Sequence, residues 1–228
     1  MTLKKSVGNM YEFVTHMWGP VKGTCMHDCS YCYMKGQRFE LGDLRINEKD
    51  IRNKLGENRI IFVCHTIDLF AKDVPTEWIE RVLARCCKFP KNRYLFQSKN
   101  PARILDFIGQ LPKDIFIGTT IETNRTGYYE SKAPSYIERA KALNDLNKLG
   151  LDTMVTIEPI FDFDLDELVK IVMIANPKWI NIGADSKNHN LPEPSREKVK
   201  QLIEVLQDKT DVELKRNLDR ILKEIKIF

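Results

Sequence analysis

The chain has 228 residues, which is long enough for one full hydrophobic core. Its 43% hydrophobic and 30% charged residues are typical of a globular protein, and a net charge of +4 is mild beside the concentrated basic stripe of a dedicated nucleic-acid binder. No apolar run is long enough to span a bilayer, and no apolar stretch follows the basic N-terminus. We therefore expect a cytoplasmic protein without a membrane span or a secretory signal.

Strand-like segments recur along the whole chain. Runs rich in β-branched, aromatic and other apolar residues, bounded by polar ones, predict six buried strands at 12–18, 59–65, 93–98, 115–122, 152–159 and 178–184. No repeat, linker or low-complexity segment interrupts them. We therefore expect one domain over residues 1–228, with its core at about 10–185.

Amphipathic helices are predicted between and after these strands. Their expected N-terminal caps are Asn47, Thr76, Asn100, Asp164 and Ser195. Gly56 is expected to end the first of them, and a longer helix is expected from Pro134 to Leu149. The segment Thr210-Asp211-Val212-Glu213 has the pattern of a capping box, so a last helix is expected to begin there, within a C-terminal region (186–228) of loop and helices.

Strand–helix alternation predicts parallel strands joined by helical crossovers. The pattern alone fits either a doubly wound sheet or an open barrel, and both place the working site at the carboxyl ends of the strands. Polar residues follow every predicted strand after the first: Thr66 and Asp68; Gln97, Ser98 and Lys99; Glu122, Asn124 and Arg125; Glu158; and Asp185, Ser186 and Lys187. Helix caps explain some of them, but not a charged or amide group after every strand.

Three cysteines follow the first predicted strand with the spacing C-x3-C-x2-C: Cys25, Cys29 and Cys32. Three closely spaced thiolates can hold three corners of an iron–sulfur cube and leave one iron open. The alternative is a structural zinc site completed by His27 or a distant ligand, although such sites usually pair two cysteine knuckles. The other cysteines, Cys64, Cys86 and Cys87, are expected to act as small hydrophobes.

The cysteine motif, with Tyr31 before its last member, resembles the radical SAM superfamily. That resemblance implies a partial (βα)6 TIM-like barrel and a [4Fe-4S] cluster whose open iron binds S-adenosyl-L-methionine. The stretches WGPVKGTCMHDCSYCYM, IFVCHTIDLFAKDVPTEWIERVL, YLFQSKNPARI, IFIGTTIETN and VTIEPIF are similar to the phage-type three-cysteine family. A more distant similarity links that family to spore photoproduct lyase.

The resemblance also implies roles for individual residues. Cys25, Cys29 and Cys32 match the cluster ligands, and Tyr31 matches the aromatic that lies against the adenine. Many relatives bind the methionine amino group with a Gly-Gly-Glu run, which this chain replaces with Thr66-Ile67-Asp68, so Asp68 is a candidate for that role.

Five further positions complete the candidate set. Glu122 and Asn124 suit the ribose hydroxyls. Lys99 or Arg125 can pair with the methionine carboxylate. Glu158 follows the strand whose backbone contacts adenine in the superfamily, and its side chain is expected near the adenine or the substrate. His65 ends a strand and is expected to be a structural histidine whose hydrogen bonds are satisfied, rather than a catalytic one. Asp185 and Lys187 either pair on the surface or serve the site.

The resemblance implies radical chemistry that begins with reductive cleavage of S-adenosylmethionine. An enzyme of this kind needs a low-potential electron donor of the flavodoxin or ferredoxin type. Its substrate is open, and the phage-type likeness suggests modification or repair of a nucleobase or nucleic acid. The alternative is a non-catalytic iron–sulfur or zinc protein, either an electron carrier or a binding module.

Overall fold

The computed structural model describes residues 3–35, 40–187 and 189–223. Within them, the strands are β1 (Lys4–Lys5), β2 (His16–Trp18), β3 (Val21–Lys22), β4 (Arg45–Ile46), β5 (Ile60–Val63), β6 (Arg93–Gln97), β7 (Ile115–Thr120), β8 (Asp152–Ile157), β9 (Trp179–Ile182) and β10 (Asp211–Leu214). The helices are α1 (Glu48–Ile51), α2 (Thr76–Cys87), α3 (Tyr136–Lys148), α4 (Leu165–Ile174), α5 (Arg196–Gln207) and α6 (Asp219–Leu222), with 3₁₀ helices at Pro101–Gln110 and Arg216–Leu218.

Eight strands form one sheet in the order β1-β2-β5-β6-β7-β8-β9-β10. Every neighbouring pair from β2 to β10 is parallel, and only β1 runs antiparallel to β2. The six predicted strands are all present, as β2 and β5 to β9. The predicted α/β architecture of parallel strands joined by helices is therefore confirmed. Among the described residues, no helix is long and apolar enough to cross a bilayer.

Alternate side chains of the central strands pack on opposite faces of the sheet, as the two-residue period requires. Ile61, Tyr94 and Val155 belong to the large core beneath the helices. Their neighbours on the other face form a smaller cluster with a segment that precedes β2, and the members of that cluster are Tyr11, Val14, Phe62, Leu95, Phe116 and Met154. The N-terminal segment therefore covers the inner face of the sheet.

Two predicted caps are confirmed, two more residues occupy the predicted cap position without a side-chain bond, and one prediction is wrong. The Asn47 side chain accepts from the Lys49 and Asp50 amides, and that of Ser195 from the Lys198 amide, as expected. Pro75, not Thr76, precedes α2, and neither Asn100 nor Asp164 caps its helix through the side chain. Asn100 instead donates to the Phe70 carbonyl (3.0 Å), and Asp164 binds Arg125, because these long-range partners compete for the same side-chain atoms.

The helix ends also differ in part from the prediction. α1 ends at Ile51, so Gly56 does not terminate it and instead takes a left-handed conformation (φ +74°) in the following loop. α3 begins within two residues of the expected start, because Ser135 and Glu138 form a capping box at its N-terminus.

The helix predicted to begin at Thr210 is wrong. Asp211–Leu214 forms β10, which pairs in parallel with β9 from Asp211 opposite Trp179 to Leu214 opposite Ile182. The Thr210 hydroxyl donates to the Lys178 carbonyl (2.9 Å) and so does not cap a helix. An isolated short helix is costly to nucleate, whereas the exposed edge of β9 offers a row of unpaired backbone groups. The C-terminal region is therefore a loop, α5, a seventh parallel strand and short helices.

Candidate functional site

A cavity of about 550 Å³ opens at the carboxyl ends of the strands. Its walls come from the cysteine loop after β2, from the ends of β5, β6 and β8, and from the segment after β9. The structure brings seven of the predicted site residues to it: Cys25, Cys29, Tyr31, Cys32, Asp68, Lys99 and Glu158. The cavity therefore lies at the edge of the sheet where the alternation of strands and helices predicts the site.

The cysteine loop is held in place by a segment between β7 and α3 that we call the strap (residues 129–132). The Ser30 amide donates to the Glu130 carbonyl (2.9 Å), and the Glu130 amide donates back to the Ser30 hydroxyl (3.2 Å). The Lys132 amide donates to the His27 carbonyl (2.7 Å). The strap therefore binds the loop on both sides of Cys29, and nothing in the local sequence predicted it.

The three thiols differ in their surroundings. Cys29 is buried, and its Sγ lies 3.1 Å from the Ser131 hydroxyl, whereas Cys25 and Cys32 are half-buried. Burial, and next the charge of Asp68, raise the pKa of the Cys25 thiol to about 11. Among the described residues, no three Cys, His, Asp or Glu side chains converge closely enough to hold a single metal ion.

The donor set suits a cluster better than one ion. A cube takes one thiolate at each of three corners, so its three sulfurs need not meet at a point. A tetrahedral zinc ion requires four converging ligands. The candidate fourth ligand, His27, is buried, and its Nε2 lies 2.8 Å from an Asp68 carboxylate oxygen. Three thiolates on one loop therefore fit the corners of an iron–sulfur cube, and the described residues include no converging group of three ligands for a single ion.

Asp68 connects the cysteine loop to the ends of β5 and β6. Its Oδ2 accepts from Ser98 (3.1 Å) and from the Lys99 amide (2.7 Å) in addition to contacting His27. Its Oδ1 accepts from the Phe70 amide (2.9 Å). Burial alone would raise the pKa of Asp68, but these bonds and His27 hold it below its usual value. Its carboxylate is therefore charged and already fully bonded.

Glu122 lies behind the cavity wall, with no exposed surface. It accepts hydrogen bonds from Tyr31, Lys99 (2.5 Å), Tyr129 (3.1 Å) and Arg139 (3.1 Å). Burial acts to raise the pKa of Glu122, but Arg139 and Lys99 outweigh it and hold the pKa well below the usual value. We call this set the Glu122 cluster; two cations face one carboxylate in it, which leaves an excess positive charge beside the cavity.

Tyr31 and Lys99 are the members of the Glu122 cluster that line the cavity. The Lys99 ammonium lies 5.3 Å from the centre of the Tyr31 ring. The ring also packs edge-on against Tyr129 and Phe161, with centroids 4.9 and 5.4 Å away. Both side chains are therefore fixed before any ligand binds.

Asn124 and Arg125 are not brought to the cavity. Asn124 accepts from the Asp164 amide (2.8 Å) at the start of α4, and Arg125 binds the carboxylates of Asp162 and Asp164. We call Arg125, Asp162, Asp164 and Lys198 the Arg125 cluster. The predicted cofactor roles of Asn124 and Arg125 stay predictions that this geometry does not favour.

The part of the cavity wall that follows β8 is built around Glu158. The carboxylate accepts from Asn9 (2.8 Å) and Asn217 (2.8 Å) and pairs with Lys215 (2.7 Å). The Lys215 ammonium lies 4.3 Å from the centre of the Tyr11 ring. Sequence reasoning missed Asn9, Lys215 and Asn217 because they belong to the two ends of the chain and only β10 brings the latter two here.

Other polar residues at the cavity differ from expectation. Burial, and then Lys4, lower the pKa of His65 to about 4, and no described residue hydrogen-bonds to its buried Nδ1. The expectation of a hydrogen-bonded structural histidine therefore fails for this atom. Asp185 accepts from the Lys187 backbone amide (3.0 Å), and its carboxylate contacts the His189 ring (2.7 Å). The predicted surface pair of Asp185 with the Lys187 ammonium is therefore replaced by these two contacts.

Comparison with solved structures identifies similar folds. A mutant of spore photoproduct lyase with bound AdoMet and dinucleoside spore photoproduct matches with a TM-score of 0.61 and 15% identity, over 92% of this chain and 66% of the other. A complex of spore photoproduct lyase with the dinucleoside spore photoproduct matches with a TM-score of 0.59 and 15% identity, over 90% and 64%. The likeness confirms the predicted partial-barrel fold. In both structures, this chain covers less than two thirds of the length of spore photoproduct lyase.

Sequence comparisons give a family without an activity. No functionally curated protein matches the chain. One family model, described as "Protein of unknown function (DUF5131)", matches residues 9–192 and so spans most of the chain, including the cysteine loop and all strands from β2 to β9. The chain is therefore a member of the DUF5131 family.

Proposed function

We propose that this protein is a radical SAM enzyme. Cys25, Cys29 and Cys32 hold a [4Fe-4S] cluster, and S-adenosyl-L-methionine binds its open iron. The observation that carries the proposal is that all three cysteines line one cavity with Tyr31 and Lys99, at the carboxyl edge of a parallel sheet. When reduced, the bound pair supplies a 5′-deoxyadenosyl radical that abstracts hydrogen from a substrate.

The residues beside the cluster suit the ends of the cofactor. The excess positive charge of Lys99 and Arg139 over Glu122 favours an anion, so we assign Lys99 to the methionine carboxylate. Tyr31 offers a fixed aromatic wall for the adenine. Glu122 then acts by orienting Tyr31 and Lys99, because it is fully buried behind them. Asn124 and Arg125 lie away from this arrangement.

Asp68 is assigned a positioning role in this scheme. The methionine amino group would have to share a carboxylate that already accepts from Ser98 and the amides of Phe70 and Lys99 and contacts His27. Asp68 therefore fixes the cysteine loop relative to the end of β6.

The proposed substrate is a nucleobase or nucleic acid, which the protein modifies or repairs. Support comes from the dinucleoside bound in similar folds and from the paired Glu158 and Lys215, which with Asn9 present hydrogen-bonding groups to the same cavity. Electrons are proposed to come from a donor of the flavodoxin or ferredoxin type. Incubation with deuterated nucleotides tests the substrate class: deuterium in 5′-deoxyadenosine supports it, and deuterium transfer only from another class of compound contradicts it.

The central test is anaerobic reconstitution with iron and sulfide, followed by dithionite and S-adenosylmethionine. We expect a brown protein with four irons per chain, on the cluster stoichiometry, that releases 5′-deoxyadenosine. Cys29→Ala should lose both the chromophore and the product, whereas the matched variant Cys87→Ala, at an exposed cysteine outside the cavity, should keep both. A loaded, reduced protein without 5′-deoxyadenosine would favour the alternative, a non-catalytic electron carrier or binding module.

A further inference from the structure

The strap places one hydroxyl against one of the three cluster cysteines. Ser131 Oγ lies 3.1 Å from Cys29 Sγ, and Cys29 is only 6% exposed. The backbone bonds of the neighbouring residues Glu130 and Lys132 to the cysteine loop fix the position of this hydroxyl. The contact joins residues 102 positions apart, so tertiary structure alone creates it.

The hydrogen-bonding partners decide where the hydroxyl proton points. The Ala133 amide donates to Ser131 Oγ (3.1 Å) and occupies one lone pair. The proton can go either to Cys29 Sγ or to the His27 carbonyl, which lies 3.3 Å away and already accepts from the Lys132 amide. A thiolate bound to iron has no proton and can only accept. With a cluster in place, a hydrogen bond between these two side chains therefore has Ser131 as its donor and Cys29 as its acceptor, and this contact is the shorter of the two.

Resting on the proposed function, we propose that Ser131 is a positioning residue that donates a hydrogen bond to the Cys29 thiolate and raises the reduction potential of the cluster. Reduction adds negative charge that spreads onto the ligand sulfurs. A hydrogen-bond donor stabilises that charge, and hydrogen bonds to the sulfurs are one of the factors that set cluster potentials. The effect is strong here because Cys29 is buried and little water competes for its sulfur.

Three variants of the reconstituted full chain test this role. Ser131→Ala removes the hydroxyl, and Ser131→Thr keeps it. Ser30→Ala is the matched control, because its hydroxyl accepts from the Glu130 amide of the same strap and contacts no cysteine sulfur in any described bond. The readouts are iron and sulfide content and a redox titration followed by electron paramagnetic resonance, neither of which depends on turnover.

We expect Ser131→Ala to bind four irons, as the wild type does. At a fixed solution potential, its ratio of reduced to oxidised cluster should be about tenfold lower, which corresponds to a midpoint potential lower by about 59 mV for one electron. Ser131→Thr and Ser30→Ala should titrate like the wild type. An unchanged midpoint in Ser131→Ala, or an equal shift in Ser30→Ala, would overturn the proposal by making the strap merely structural.

Two outcomes separate this inference from the proposed function. A wild type that assembles no cluster refutes the proposed function itself, whereas a wild type that forms 5′-deoxyadenosine beside an unshifted Ser131→Ala refutes only the role of Ser131. If Ser131→Ala fails to assemble a cluster, Ser131→Thr decides. A midpoint potential equal to that of the wild type supports the role of the hydroxyl, and a midpoint potential lowered by about 59 mV overturns that role.

Discussion

The two charged clusters are built around residues that lie close together after β7, Glu122 and Arg125, yet they differ in how deeply their charges are buried. The Glu122 cluster has its carboxylate and its Arg139 partner buried, with exposed side-chain fractions of 0% and 2%. In the Arg125 cluster, the Arg125 and Asp164 side chains are 31% and 53% exposed. Both Glu122 and Arg125 were predicted to contact the cofactor, but only Glu122 bonds to residues of the cavity wall.

The difference comes from the direction of the side chains rather than from their place in the sequence. Glu122 points towards Tyr31 and Lys99, whereas Asn124 and Arg125 turn to the start of α4. Burial then decides how much each cluster contributes to the free energy of unfolding. A buried charge that loses its partner is strongly destabilising, whereas an exposed ion pair contributes little. A polar residue after a strand end is therefore only a candidate until its direction is known.

The largest effect is expected for Glu122→Gln. The substitution leaves Arg139 buried and without a carboxylate partner, which costs about 3–5 kcal/mol of the free energy of unfolding. Urea denaturation of the metal-free chain measures it. Asp164→Asn is the matched control, with the same change of carboxylate to amide in the exposed cluster, and should lie close to the wild type. Equal losses in the two variants would contradict the distinction between the clusters.

Asp68→Ala extends the comparison to a second buried carboxylate. The change leaves the His27 ring, the Ser98 hydroxyl and the Lys99 amide without their acceptor, so we expect a loss of about 2–3 kcal/mol in the free energy of unfolding. Iron content after reconstitution should also fall, because His27 no longer anchors the cysteine loop. Asp73→Ala, at an exposed site nearby, is the control. Retention of full iron loading by Asp68→Ala would argue against its positioning role.

His65 provides a pH-dependent test of a half-buried group whose pKa no acidic residue of the described chain raises. Burial, and then Lys4, lower its pKa from 6.5 to about 4 in the folded chain, so the unfolded chain binds more protons between these values. Stability is therefore lost as the pH falls below about 6.5, by about 1–2 kcal/mol between pH 7 and pH 5. Urea midpoints at the two pH values should differ less in His65→Gln than in the wild type. An equal pH dependence in both would show that other groups cause it.

The smallest effect is expected for Arg125→Gln. The pairs of Arg125 with Asp162 and Asp164 are partly exposed, and Asp162 keeps Lys198 as a partner, so the urea midpoint should lie close to that of the wild type. The yield of 5′-deoxyadenosine should equal that of the wild type. A large fall in this yield with an unchanged urea midpoint would mean that Arg125 reaches the cofactor after all.

The sequence by itself determined the alternation of strands and helices, the place of the cysteine loop after β2 and the edge of the sheet that holds the cavity. These features depend on local periods and spacings, which a chain carries wherever it folds. The capped start of α1 and the capped start of α5 were predictable for the same reason, since Asn47 and Ser195 bond to amides within three residues.

Only the tertiary structure decided which side chains meet at the cavity. Asp211–Leu214 became a strand because the edge of β9 was available, and that strand delivers Lys215 to Glu158. The contact of Ser131 with Cys29 joins segments about one hundred residues apart in the chain. Such contacts depend on the packing of whole elements and on competition between partners, and neither leaves a local pattern in the sequence.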